Sequence, residues 1–158
     1  MLLQNLVKII SETSPTMIAN NGESTGSTYS ITTMLNNYRA GDPFSNAHTQ
    51  GGNGVHMFVC VGKSDTEPAF TDYTLGSEAT ELTYVSASAT KDLNGIVYSV
   101  SCTFKNETAN AIIIKEIGMG FHMNQDSNGR IYFAKSVLDT PVTMNAGDIY
   151  TFSYTIEV

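Results

Sequence analysis

The chain has no tryptophan, only four prolines and two cysteines, and few charges. Charged residues occupy 15% of its 158 positions, against about a quarter in most soluble domains. Cations are the scarcest: eight Lys and Arg stand against fifteen Asp and Glu, a net charge of −7. A surface so poor in positive charge attracts neither a phosphate backbone nor an anionic bilayer, so no nucleic acid and no membrane partner is expected. No apolar run approaches the roughly 20 residues that cross a bilayer as a helix. The opening residues, MLLQNLVKIISET, have no basic stretch ahead of an apolar one and no small-residue cleavage site, so no signal peptide is expected. Without Trp, and with Tyr mostly in phase with apolar neighbours, the sequence shows no aromatic stripe suited to stacking on sugars. Cys60 and Cys102 lie inside apolar runs with no Cys-x-x-Cys spacing. They read as small buried hydrophobes, and spacing alone does not decide whether they form a disulfide.

What the chain has instead is 15 Ser, 19 Thr, 13 Asn and 13 Gly, together more than a third of its length. Thr is β-branched, and Asn, Ser and Gly form turns, so the mixture favours strands over helices. Residues 55–63 form a near-continuous apolar run, as in a strand covered on both faces. Over 95–106, Ile96, Tyr98, Val100, Cys102 and Phe104 alternate with polar or smaller residues. Over 150–158, Tyr150, Phe152, Tyr154, Ile156 and Val158 do the same. Each is the period-two signature of a strand with one buried face. Residues 111–118 follow a turn at 106–110 that has the composition of a hairpin loop, Gly118 and Gly120 suggest a bulge, and Asn128-Gly129 is a hairpin signal. Strands at this spacing with no helix between them predict an all-β fold, an antiparallel, jelly-roll-like β-sandwich.

Residues 1–54 read differently. Leu3, Leu6, Val7 and Ile10 make the stripe of a short amphipathic helix over 2–12, too short to persist without a surface to lie on. A strand or helical turn around 29–35 leads to a glycine-bearing loop over 39–54 that contains Phe44. The expectation is an N-terminal attachment segment, 1–54, preceding a sandwich domain, 55–158. Leu3, Leu6, Val7, Ile10 and Phe44 are its candidate intersubunit contacts, and the protein is expected to be a homo-oligomer.

Chemical motifs fail on inspection. Asn124-x-Asp126-x-Asn128-Gly129 opens like a calcium loop, but the twelfth position, where a bidentate carboxylate must bind, is Lys135. Ser88-x-x-Lys91 lacks the companion elements of the acylases that use it and sits in a polar stretch, SASATKD, that reads as loop. His48, His56 and His122 lack metal-ligand spacing, and no phosphate-binding loop, dinucleotide fingerprint or nucleophile elbow is present. No catalytic, cofactor-binding or metal-binding residue is expected, and the chain is expected not to be an enzyme. Asn106-Glu107-Thr108 is formally a glycosylation sequon. Glu116, between Ile114 and Gly118, is expected to point inward and to need hydrogen-bonding partners.

Two segments carry a family likeness. One runs Val61-Gly62 through Pro68 to Asp72-Tyr73-Thr74-Leu75. The other runs Phe104-x-Asn106, Ile112-x-Ile114-x-Glu116-Ile117-Gly118, Val137-Leu138-x-Thr140-Pro141-Val142-Thr143, Ala146-Gly147-Asp148 and Phe152-x-Tyr154-Thr155-Ile156. Over residues 55–158, about two-thirds of the chain, this order resembles small β-sandwich structural proteins of tailed-bacteriophage virions, of the head-decoration, head-fibre or tail-appendage type. The resemblance implies a non-enzymatic role through assembly with capsid or tail proteins, and location in the virion after assembly in the host cytoplasm. It implies reduced cysteines, since disulfides are rare in that compartment. A receptor- or glycan-binding fibre module, with a host-surface glycan as partner, is the alternative.

Overall fold

A computed structural model of the protein describes residues 38–44, 55–92, 97–122 and 130–157. Seven strands follow in chain order: β1 (Tyr38–Ala40), β2 (Val55–Gly62), β3 (Thr83–Asp92), β4 (Val97–Lys105), β5 (Ile112–His122), β6 (Arg130–Met144) and β7 (Ile149–Glu157). They form a four-stranded sheet in the order β1-β2-β5-β6 and a three-stranded sheet in the order β3-β4-β7. Every pairing is antiparallel except that of β1 with β2. The fold is all-β and sandwich-like, as the alternation predicted. The expected N-terminal helix lies outside the described residues. Tyr38–Ala40, from the segment the sequence set apart, is the edge strand of the larger sheet.

The three-stranded sheet has one dry face and one wet face. Val100, Cys102, Phe104, Phe152 and Ile156 are buried, as their phase predicted, and Tyr154 is half-buried, with its Oη 2.7 Å from Ser136 Oγ. Ile96 lies outside the described residues. In the larger sheet β2 is buried from Phe58 to Gly62, and β5 is buried on both faces from Glu116 to His122. The bulge expected at the glycines is present, since the β5–β6 register shifts between Met119 and Gly120. Gly118 itself is needed for close packing, because Leu75 and the Tyr132 ring occupy the space a Cβ would need.

Two expectations are corrected. Residues 86–92, the polar stretch SASATKD read as loop, belong to β3, with Ala87 and Ala89 packed against the core. Pairing with β4 along this length outweighs weak intrinsic β propensity. The segment 106–111 is not a hairpin. It carries the chain from β4 in one sheet to β5 in the other, and 145–148 makes the return crossing from β6 to β7. Pro141 lies within β6, where the register breaks between Ile114 and Glu116. An edge strand tolerates a proline there because an unpaired position needs no N–H.

The two crossings brace each other through Asn106. Its Nδ2 donates to the Asn110 and Met144 carbonyls, each at 2.8 Å, and its Oδ1 accepts from the Thr108 amide and hydroxyl. Its backbone amide donates to Asp148 O at 2.9 Å, and the Gly147 amide donates to Asn106 O at 2.7 Å. Gly147 has φ +87°, a left-handed conformation that glycine adopts without a Cβ clash. Asn106 is fully buried with its amide hydrogens engaged, so the folded chain offers no acceptor for a glycan at its sequon.

Candidate functional site

The densest polar chemistry lies between the larger sheet and the 63–82 segment, which connects β2 to β3. Glu116 on β5 is fully buried. Its Oε1 accepts from the Ser77 amide at 2.8 Å and the Ser64 amide at 3.3 Å, and its Oε2 accepts from the Gly76 amide at 2.9 Å. Lys135 of β6, itself buried, places Nζ 3.5 Å from Glu116 Oε2 and 3.2 Å from Asp72 Oδ2. Asp72 also accepts from the Ala69 amide, closing the turn that presents it. One carboxylate therefore gathers amides from both ends of the connection, and one ammonium joins it to the middle.

Glu78 forms the second half of the cluster. Its Oε2 lies 2.7 Å from Arg130 Nη1, and its Oε1 accepts from Tyr132 Oη at 2.8 Å and Thr74 Oγ1 at 3.3 Å. Arg130 reaches on to the Pro43 carbonyl, and His122 Nε2 lies 3.0 Å from the Asp42 carbonyl, so the 41–44 turn is anchored to the same strands. Burial alone would lower the Arg130 pKa, but Tyr132 and Glu78 beside it raise it. Burial pushes the Tyr132 phenol well above its usual range, and Cys60 and Glu78 push it further the same way. Tyr132 is thus held protonated, as a donor.

The backbone explains how the connection meets the sheet. β1 flanks only the start of β2, through Met57. Beyond it the 77–79 segment takes over that edge: Lys63 N donates to Ser77 O at 2.7 Å, and Ala79 N donates to Val61 O at 2.9 Å. Between the two, Cys102 of the opposite sheet accepts from the Val59 amide, Sγ to N 3.3 Å. Gly62 sits where Glu116 and the Ser77 carbonyl come closest, and a Cβ there would collide with both. The Val61-Gly62 and Asp72–Leu75 elements of the first likeness segment thus meet the Glu116-Ile117-Gly118 element of the second.

The arrangement suits holding more than reacting. Glu116 has its oxygens filled by backbone amides and an ammonium. Every buried side-chain nitrogen or oxygen among the described residues has a hydrogen-bond partner. Among those residues no group of three His, Cys, Asp or Glu side chains is placed to hold a metal ion. His56 and His122 face each other across β2 and β5, a juxtaposition their spacing did not reveal, while His48 and the 124–128 motif lie outside the described residues. Cys60 and Cys102 are buried and unbonded, and Met119 and Met144 fill the core. Of the candidate intersubunit contacts, Leu3, Leu6, Val7 and Ile10 lie outside the described residues. Phe44 is half-buried and packs on Phe104 of its own chain, ring centroids 5.8 Å apart. Sequence reasoning singled out Glu116 and met Asp72 only as part of the likeness; it gave no site role to Glu78, Arg130 or Lys135, whose only signal was charge in a chain that has little.

In comparisons with protein-family models, curated proteins and solved structures, the chain matches none.

Proposed function

We propose that this protein is a non-enzymatic structural component of a tailed-phage virion, a capsid-decorating, head-fibre or tail-associated sandwich of jelly-roll-like type that acts by assembly with other virion proteins. The observation that carries the reading is the committed state of the Glu116 cluster, whose acceptors are spent on fixing a 20-residue connection rather than left for a substrate. The low charge, the Ser/Thr-covered strands and the two unbonded thiols fit assembly in a reducing host cytoplasm. The test is fractionation of infected cells on a density gradient, followed by quantitative mass spectrometry. The chain should band with particles at a fixed copy number relative to the major capsid protein. Recovery only in the soluble fraction would overturn the reading.

One observation favours the alternative, a receptor- or glycan-binding module. Phe70 and Tyr73, on the connection held by the cluster, are 50% and 38% exposed. Aromatic side chains presented to solvent on a rigid loop are suited to sugar stacking. Glycan-array binding that Phe70→Ala abolishes would favour this reading over a purely architectural one.

A further inference from the structure

The strand order leaves four sheet edges: β1 and β6 in one sheet, β3 and β7 in the other. An exposed edge is a template for pairing with another chain, and proteins blunt edges with brevity, charge, proline or bulges. Three of these edges are blunted. β1 has three residues among those described. β6 contains Arg130, Lys135, Asp139 and Pro141 and breaks register twice. β3 bulges between Tyr84 and Ser86 and ends in Lys91-Asp92. β7 has only one of these devices, a single charge at its very end, Glu157. From 149 to 156 it reads IYTFSYTI, without charge, proline or glycine, and it pairs with β4 from Ile149 to Glu157 with no shift. Among the described residues β4 is its only strand partner.

We propose that β7 pairs edge to edge with β7 of a second copy of this chain, antiparallel about a twofold axis through Ser153, joining two three-stranded sheets into one of six strands. A twofold contact must be self-complementary, and β7 has that pattern. Centring the pair on Ser153 sets Thr151 opposite Thr155 of the second copy. On the other face it sets Phe152 opposite Tyr154, and Tyr150 opposite Ile156. Hydroxyl meets hydroxyl and apolar meets apolar except at the two ends, where Ile149 is set opposite Glu157, and no like charges are opposed although each chain carries −7. Ile149 and Tyr150, 58% and 41% exposed, lie at one end of this strand, where pairing supplies cover.

The outer face of the sheet is already organised for continuation. Ser86, Thr103 and Thr151 align in one row, Ser88, Ser101 and Ser153 in the next, and Thr90, Ser99 and Thr155 in the third. Cross-strand hydroxyl pairs link Ser101 to Ser153 at 2.7 Å, Thr103 to Thr151 at 2.8 Å and Thr155 to Ser99 at 3.0 Å. The twofold carries each row into a row of hydroxyls on the second copy. A nine-residue strand pair is small beside the roughly 1,200 Å² at which stable interfaces begin, so the dimer dissociates on dilution. The pairing stands or falls separately from the virion reading, because it is measured on the purified chain.

The test is sedimentation of the full chain, with dipolar electron-spin distances from single nitroxide labels at Ser153→Cys, Ser101→Cys and Ser88→Cys. The buried Cys60 and Cys102 stay unlabelled. With strands 4.7–4.9 Å apart, backbone separations across the axis should be about 5, 14 and 24 Å, rising in that order. The reverse order would place the contact at β3. Three equal separations near 10 Å, the spacing of stacked sheets, would mean face-to-face packing. A chain still monomeric at about 1 mM would leave no such contact. Each of these results overturns the proposal. Ser153→Lys sets two ammonium groups on the axis and should weaken the dimer at least about tenfold. Its side chain is exposed and gives up only the surface hydroxyl pair with Ser101. The folding equilibrium of the monomer should therefore change by no more than about twofold, about 0.5 kcal/mol, and a dimer undiminished by the lysine would also refute the pairing.

Discussion

A thiol taken out of water loses the solvation that its thiolate needs, and both cysteines are in that position. Burial is the main cause that raises each: it lifts Cys102 to about 11 and drives Cys60 higher still. In the unfolded chain a thiol ionises near 9. Below that pH both states keep the proton and nothing is lost. Between about 9 and 11 the unfolded chain releases a proton that the native chain retains, so stability falls as pH rises, by at most about 1.4 kcal/mol per unit for each thiol. Tyr132, whose phenol is raised for the same reason, adds to the slope above pH 10. Urea unfolding at pH 8 and pH 10 should show the decline, and Cys102→Ala should make it shallower. An identical slope in that variant would mean that the Cys102 thiol is solvated in the folded protein. Burial of these residues was legible from the apolar runs around them. The partner of Cys102 was not, because the Val59 amide lies 43 residues away on the opposite sheet. Glu116 repeats the lesson: alternation with Ile114 and Gly118 gave its direction, but its partners come from an aperiodic connection about 40 to 50 residues earlier.

At the scale of elements, the sequence was readable where one face of a strand is dry and the other wet, as in β4 and β7. It was misread where composition is shared between structures. Ser and Ala in β3 suit a loop equally well until pairing with β4 is known. Turn residues at 106–110 announce a reversal, but local chemistry does not say whether the next strand joins the same sheet or the other one. The long-range bonds of Asn106 settle it, since they tie one crossing to the other. Asn106→Ala should destabilise the protein by about 2–4 kcal/mol, because it strips donors from the Met144 and Asn110 carbonyls and frees the Thr108 amide. The shift in denaturant midpoint at constant m measures this. A change within about 0.5 kcal/mol, the usual range for neutral surface positions, would show that the crossings are held without it.

For the whole molecule, the Glu116 cluster makes the 63–82 connection part of the same cooperative unit as the larger sheet, rather than a loop laid over it. Carboxylate-to-amide bonds, the Lys135 bridge and the Arg130–Glu78 pair all cross that boundary. Opening the connection would leave charges buried with broken pairs, an outcome that costs several kcal/mol. Segments that open independently exchange their amides far faster than the core. The most direct measurement is amide hydrogen exchange of the full chain, comparing peptides from 74–82 with those from β5 and β6, in the wild type and in Glu116→Gln. The account predicts matching protection in the wild type, and at least about tenfold faster exchange of the 74–82 amides than of the strands in the variant. Rapid exchange of 74–82 in the wild type, unaltered by the substitution, would contradict it.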